Sequence, residues 1–319
     1  MTGRSSLAVR AARAVQRLPL GGLHYLERPL LPAVDHPARP IFLIALPRSG
    51  STLAYQALVH GSDARYLTNL GNLLFFVPFL GGLASRRRCA PHVSDFRSRQ
   101  GFVEGPCGPA EGLRFWSYWM GQGLSDADNR EMAGDPRLPG RVTYLQRALA
   151  ALDARCTPFV SGYIGHSLVV EELARAFPAA LFVRLTRDPV DNALSLLRIQ
   201  LEEGREAFSV MPDDLSLPPG AGVHDRVAAQ VATLNRRVDA SLDRARTITV
   251  AYEDLCADPA GEVSRVRAFC SEQGVPLGPG RALPPAFNRS VATSAWVEHR
   301  AALRDAFRRR AVMEETCSI

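Results

Sequence analysis

Residues 41–53 read Ile-Phe-Leu-Ile-Ala-Leu-Pro-Arg-Ser-Gly-Ser-Thr-Leu: an apolar run breaks at Pro47, turns through Ser49 and Gly50, and passes into a helix-competent stretch over 53–59. No other part of the chain restricts its fold as tightly. A short apolar strand that enters a small-residue turn and then a helix aims backbone N–H groups at one point. The positive end of the helix dipole favours an anion at that point.

The turn departs in two places from the nucleotide-binding pattern G-x-x-x-x-G-K-[ST]. Ala45 stands where the first glycine belongs, and Ser51 stands where the lysine belongs. The cation lies inside the turn instead, as Arg48. Lysine is absent from the whole chain, so all 38 basic residues are arginine. Codon bias is enough to explain this, but the physical consequence holds regardless. Every phosphate contact must come from a planar, permanently charged guanidinium. With 32 acidic residues the net charge is +6, an excess that suits an anionic ligand without requiring nucleic acid.

Further along, the chain settles into an alternation of strands and helices. After Pro37-Ala-Arg-Pro, which reads as a linker, strands are expected at 41–46, 64–68, 159–163, 181–186 and 247–251. Helices are expected at 141–154, 167–177, 189–203, 225–244, 259–273 and 294–311. Residues 204–223, rich in Pro, Gly and Asp, read as a loop or lid. The aromatic run 113–120, Leu-Arg-Phe-Trp-Ser-Tyr-Trp-Met, reads either as packed core or as the wall of an acceptor pocket. Such alternation predicts an α/β fold, a central parallel sheet flanked by helices. The expected organisation is a basic N-terminal segment, 1–38, followed by a single domain, 39–319.

The second informative stretch is 181–195, Leu-Phe-Val-Arg-Leu-Thr-Arg-Asp-Pro-Val-Asp-Asn-Ala-Leu-Ser. Asp188 suits a helix N-cap, Pro189 the first helical position, and Asp191 the first turn. Arg187 therefore sits at the carboxyl end of a buried strand, the edge at which open α/β sheets bind ligands. Alone it reads as a surface arginine beside a capping aspartate. Together with Arg48 it makes a second anion site at a second strand end.

Pro47-Arg-Ser-Gly-Ser-Thr resembles the 5′-phosphosulfate loop of sulfotransferases that use 3′-phosphoadenosine 5′-phosphosulfate (PAPS). Arg187-Asp-Pro with Ser195 eight positions on resembles their 3′-phosphate motif, and residues 248–255, Ile-Thr-Val-Ala-Tyr-Glu-Asp-Leu, are similar to a third family segment. The three come in the family's order, and the resemblance spans roughly 39–270. It implies the P-loop-containing nucleoside triphosphate hydrolase-like (sulfotransferase) fold, with PAPS as co-substrate and adenosine 3′,5′-bisphosphate as product. It also implies a cradle from Ser49, Gly50, Ser51 and Thr52, a cation from Arg48, a 3′-phosphate grip by Arg187 and Ser195, and Tyr252 near the adenine. No metal is implied, because Arg48 and the loop dipoles do the neutralising that magnesium does in kinases.

The base is less determined. The region after the second strand, 66–71, has no acid, and the place of a family lysine falls at about Gly162. The candidates are Glu111, which precedes a Phe-Trp element and ranks first, then His166 and Glu104. Surface exposure for the glutamates and a helix cap for His166 are the plain alternatives.

Two rival functions follow from these departures. One is a P-loop kinase, weakened by Ala45, by the missing lysine and by strand 181–186 ending in Thr-Arg rather than Asp. The other is a non-catalytic nucleotide-binding protein of the same fold. The expected acceptor is a small, hydrophobic molecule bearing a hydroxyl or amine, with no nucleic acid partner.

Six cysteines (Cys89, Cys107, Cys156, Cys256, Cys270, Cys317) are scattered without a C-x-x-C pair, which suggests neither a zinc site nor a disulfide framework. Arg4, Arg10, Arg13 and Arg17 make the N-terminus either a solvated tail or a basic helix for peripheral membrane contact. The apolar window 70–84 is too short to span a bilayer, and a cytoplasmic protein is expected.

Overall fold

Both faces of Ile41–Ile44 are buried, and a strand buried on both faces belongs in a parallel sheet covered by helices. The computed structural model describes residues 22–89, 93–99, 101–153, 157–204, 209–217, 219–289 and 296–316. Its sheet has five strands, β1 (Ile41–Ile44), β2 (Arg65–Tyr66), β3 (Phe159–Ser161), β4 (Leu181–Thr186) and β5 (Thr247–Ala251). They run parallel throughout, in the order β2-β3-β1-β4-β5. The connection after β1 heads towards β2, whereas those after β3 and β4 head towards β5. The loop after β1 therefore stands where connections diverge, the place such sheets use for ligands.

Helices α1 (His24–Glu27), α2 (Ser51–His60), α3 (Asn69–Leu73) and α4 (Pro78–Cys89) come first, so the apolar window 70–84 is two helices and the turn between them. Then follow α5 (Leu113–Met120), α6 (Asp126–Ala133), α7 (Leu138–Asp153), α8 (Val170–Ala176) and α9 (Pro189–Glu203). The last four are α10 (Val223–Ser241), α11 (Tyr252–Ala257), α12 (Pro259–Glu272) and α13 (Val297–Thr316). Helix α13 packs on α9 and α10, buries Leu303 and Ala306, and ties to α9 through Arg300–Asp191 at 2.9 Å. Among the described residues no helix is long and apolar enough to cross a membrane. The arginines at 4, 10, 13 and 17 lie outside the described residues.

Glu27, in the segment expected to precede the domain, is fully buried. Its carboxylate accepts from the N–H groups of Phe79 (3.2 Å) and Leu80 (2.9 Å) at the start of α4, and from the Tyr144 hydroxyl (2.8 Å). The α1 region is thus part of the packed unit. Burial pushes the Glu27 carboxyl up, and these donors pull it back.

Two findings correct the expectations. The strand expected over 64–68 pairs with β3 only at Arg65 and Tyr66, held at the edge by the buried ion pair of Arg65 with Asp153. Cys89 and Cys107 form a disulfide, although their spacing suggested none. The fold brings the end of α4 against the loop 93–109, a meeting that spacing does not encode. Disulfides persist in oxidising compartments, so this one pulls against a cytoplasmic location. Cys256 and Cys270 are buried free thiols.

Candidate active site

The turn after β1 is closed before any ligand arrives. The Ser49 hydroxyl donates to the Leu46 carbonyl at 2.7 Å, and the Ser49 N–H donates to the same oxygen at 3.1 Å. Ser49 is buried, so its donors hold the turn and are not presented outward. Arg48 has φ of 64° and Gly50 φ of 95°, the left-handed region that suits glycine and strains an arginine. At Gly50 the requirement is also steric. A Cβ there would lie 2.3 Å from Cδ2 of Tyr252. Helix α2 begins at Ser51, and the N–H groups of a helix's first turn have no partner within the helix. The donors left to the cavity are therefore those of that first turn and the hydroxyls of Ser51 and Thr52.

Residues from β4 and α9 complete the turn. Arg187, just past β4, donates from Nη1 to the Arg48 carbonyl at 2.9 Å, and Asn192 donates to the Pro47 carbonyl at 2.6 Å. Asp188 caps α9 by accepting from the Asp191 N–H at 2.8 Å, as the sequence predicts. The Arg48 Nε faces the Ser195 hydroxyl at 3.4 Å. The Arg187 guanidinium lies over the Tyr252 ring, 4.6 Å from its centroid. Tyr252 is buried, so its ring is a platform packed beneath Gly50 and Arg187. Burial, followed by the like charges of Arg198 and Arg187, lowers the pKa of Arg48, while Glu111 and Glu202 raise it. A guanidinium remains charged through shifts of this kind.

Pro47, Arg48, Gly50, Ser51, Thr52, Glu111, Arg187, Ser195 and Tyr252 line one cavity of about 460 Å³. Glu111 lines it near the start of α2. A Cβ on Gly101, whose φ is 91°, would lie 3.1 Å from Oε1 of Glu111 and 3.6 Å from the Thr52 hydroxyl. The glycine therefore lets the backbone at 101 approach both groups. Burial pushes the Glu111 carboxyl up to about 7, against the pull of Arg48. A carboxylate poised there can take a proton at neutral pH.

The other two base candidates are not brought to the cavity. His166 is fully buried, with its ring nitrogens 2.9 Å from the Ser161 hydroxyl and 3.0 Å from Oε1 of Gln122. The amide oxygen can only accept, so Nδ1 carries the proton. Burial pushes the ring down to about 3, and its edge-on contacts with Phe42 and Trp116 make it part of the core. Glu104 is exposed and lines a neighbouring groove with Arg97 and Arg99. At Gly162, where a relative's lysine would fall, a Cβ would sit 2.6 Å from the Tyr55 ring. That position is filled by an aromatic neighbour.

Sequence reasoning missed Ser98, Gly101, Leu124, Tyr163, Ile164 and Ser209, which also line the cavity. They come from loops and strand ends without a motif. Only the Gln-Gly step at 101 carries a local signal, that of a turn.

A family model described as the sulfotransferase family matches residues 40–276. The fold is similar to that of a sulfotransferase from Mycobacterium avium, with a TM-score of 0.51 and 16% identity over 93% of this chain and 74% of that one. It is also similar to a sulfotransferase from Mycobacterium tuberculosis, with a TM-score of 0.51 and 17% identity over 83% and 76% of the two chains. No curated protein matches the chain.

Proposed function

The chain belongs to the sulfotransferase family, and on that premise we propose that it moves a sulfuryl group from PAPS to a hydroxyl or amine of a small, hydrophobic acceptor. One observation carries this reading. Arg48, Glu111, and Arg187 with Ser195, from three separate segments, line one cavity. Two guanidiniums, a hydroxyl and a helix start form a donor set that fits a nucleotide with phosphates at both ends.

Bound PAPS supplies a sulfate–phosphate anhydride, whose bridging bond is the one to be broken. The first turn of α2, with the Ser51 and Thr52 hydroxyls, holds the 5′-phosphate. Arg187 and Ser195 hold the 3′-phosphate, and Tyr252 supports Arg187 from below. Glu111 takes the proton of the acceptor as its oxygen or nitrogen bonds to sulfur. Arg48 stabilises the charge that collects on the departing phosphate oxygen, as a cation does in the loose transition states of phosphoryl transfer. With a guanidinium in that place, the reaction needs no metal from this chain.

Thermal stabilisation by adenosine 3′,5′-bisphosphate, compared with ATP plus magnesium, tests the proposal. A larger shift with the bisphosphate, and transfer of label from ³⁵S-labelled PAPS to an acceptor, is the expected result. A preference for ATP would restore the kinase alternative. Stabilisation without transfer to any acceptor would favour the non-catalytic one.

A further inference from the structure

The catalytic cavity opens in two directions. Through Ser98 it adjoins a groove in loop 93–108 that carries the exposed arginines 97 and 99. Through Leu113 and Leu124 it adjoins a broad groove along α5. Resting on the sulfotransferase reading, we infer that the acceptor lies in the α5 groove and is an elongated apolar alcohol or phenol, its hydroxyl at Glu111 and its body along Phe75, Tyr118 and Met132.

The argument starts from the helix. α5 begins just after Glu111 and its Gly112 cap, so its open face leads directly away from the base. One side of α5 is core, with Phe115, Trp116 and Trp119 buried. The other side leaves Leu113 43% exposed and presents Tyr118 to the groove. Eight residues of helix make a wall on the order of 12 Å long, enough for a chain of several methylenes or fused rings.

Ring and charge contacts hold that wall in place. Phe75 meets Tyr118 edge-on at 5.5 Å. Arg141 lies over the Tyr118 ring at 4.2 Å and donates to the Tyr118 carbonyl at 3.3 Å. Arg141 is itself paired with Asp135 at 3.2 Å, so its charge is answered and it serves to clamp the ring. Arg114, Asp128 and Glu131 also line the groove, but the fixed aromatic face with Leu113, Leu124 and Met132 offers apolar contacts that an acceptor can dehydrate at little ordering cost.

The test has an arm for each level of the inference. Calorimetric binding of adenosine 3′,5′-bisphosphate tests the donor reading, and its failure would sink that reading and leave the groove without a reaction. A series from phenol to 4-octylphenol, assayed with labelled PAPS, tests the groove. In the wild type kcat/KM is expected to rise roughly fourfold per buried methylene. Tyr118→Ala should flatten the rise chiefly through KM, with bisphosphate affinity within about twofold of wild type, whereas Tyr118→Phe should preserve it. With bisphosphate binding intact, a flat wild-type series, or no binding of 4-octylphenol to the bisphosphate complex, would overturn the inference. So would a preference for carboxylated phenols that Arg97→Glu removes, since the acceptor would then lie in the arginine groove.

Discussion

Arg48 and Glu111 line one cavity, and the guanidinium draws the Glu111 carboxyl down while burial raises it to about 7. Glu111→Gln should lower kcat by a factor on the order of 10² to 10⁴ and leave bisphosphate binding intact. Near-normal turnover would remove Glu111 as the base.

The same pKa has a sign that can be followed. A base must be deprotonated, so kcat/KM should climb with pH and level off above about 7. Stability should move the opposite way. The folded protein holds this proton more tightly than the unfolded chain, so stability falls as pH rises from the ordinary glutamate range through about 7. Glu111→Gln removes that cost, on the order of 3 kcal/mol at most. Its melting temperature should exceed the wild type's at pH 8 and match it at pH 4.

Arg48→Ala should reduce kcat far more than it weakens binding of the bisphosphate, because the charge that Arg48 answers develops during transfer. Rapid-quench turnover alongside calorimetry separates the two. Equal losses would make Arg48 a binding residue only.

Gly50→Ala forces a Cβ to within 2.3 Å of the Tyr252 ring at a φ of 95°. Moving the ring also disturbs Arg187 above it. The variant should lose about 1–3 kcal/mol of stability and most of its bisphosphate affinity in thermal-shift titrations. Gly50→Ala should cost less in a Tyr252→Ala background than in the wild type, since the clash goes but the strain stays, while Tyr252→Ala alone lowers stability by emptying the site of a buried ring.

Breaking Cys89–Cys107 releases a loop whose ends are 18 residues apart. Cys89→Ser should cost roughly 3 kcal/mol and lower activity, because loop 93–109 brings Gly101 and Ser98 to the cavity. Dithiothreitol should do the same to the wild type and nothing further to the variant, as read by melting curves.

What could be read in advance and what could not divide along physical lines. The strand-to-helix turns at 47–52 and 187–195 are legible because strand, turn and cap chemistry are written in adjacent residues. Glu111 stands out in the sequence only by its place before the aromatic run, and its elevated pKa depends on burial by chain segments far away. Ser49 was expected in the cradle, yet the structure uses it to close the turn, which depends on where the Leu46 carbonyl points. The core role of His166, the disulfide and the burial of Glu27 all arise from contacts between distant segments, which no local pattern encodes. The aromatic run puts one helical face in the core, as one of its readings has it, and leaves the other face open to a groove.

Four hydrogen bonds, two from Ser49 and one each from Arg187 and Asn192, already hold the turn after β1. A receptor tied in advance spends little conformational freedom in capturing its ligand. The same economy works against letting go, since no spring is compressed on binding that could later push the product out. Departure must then be driven by loosening the charge–charge grip. On the proposed reading, dissolved ions speed the release of product from Arg48 and Arg187, though less steeply than at an exposed site, because both side chains are partly buried.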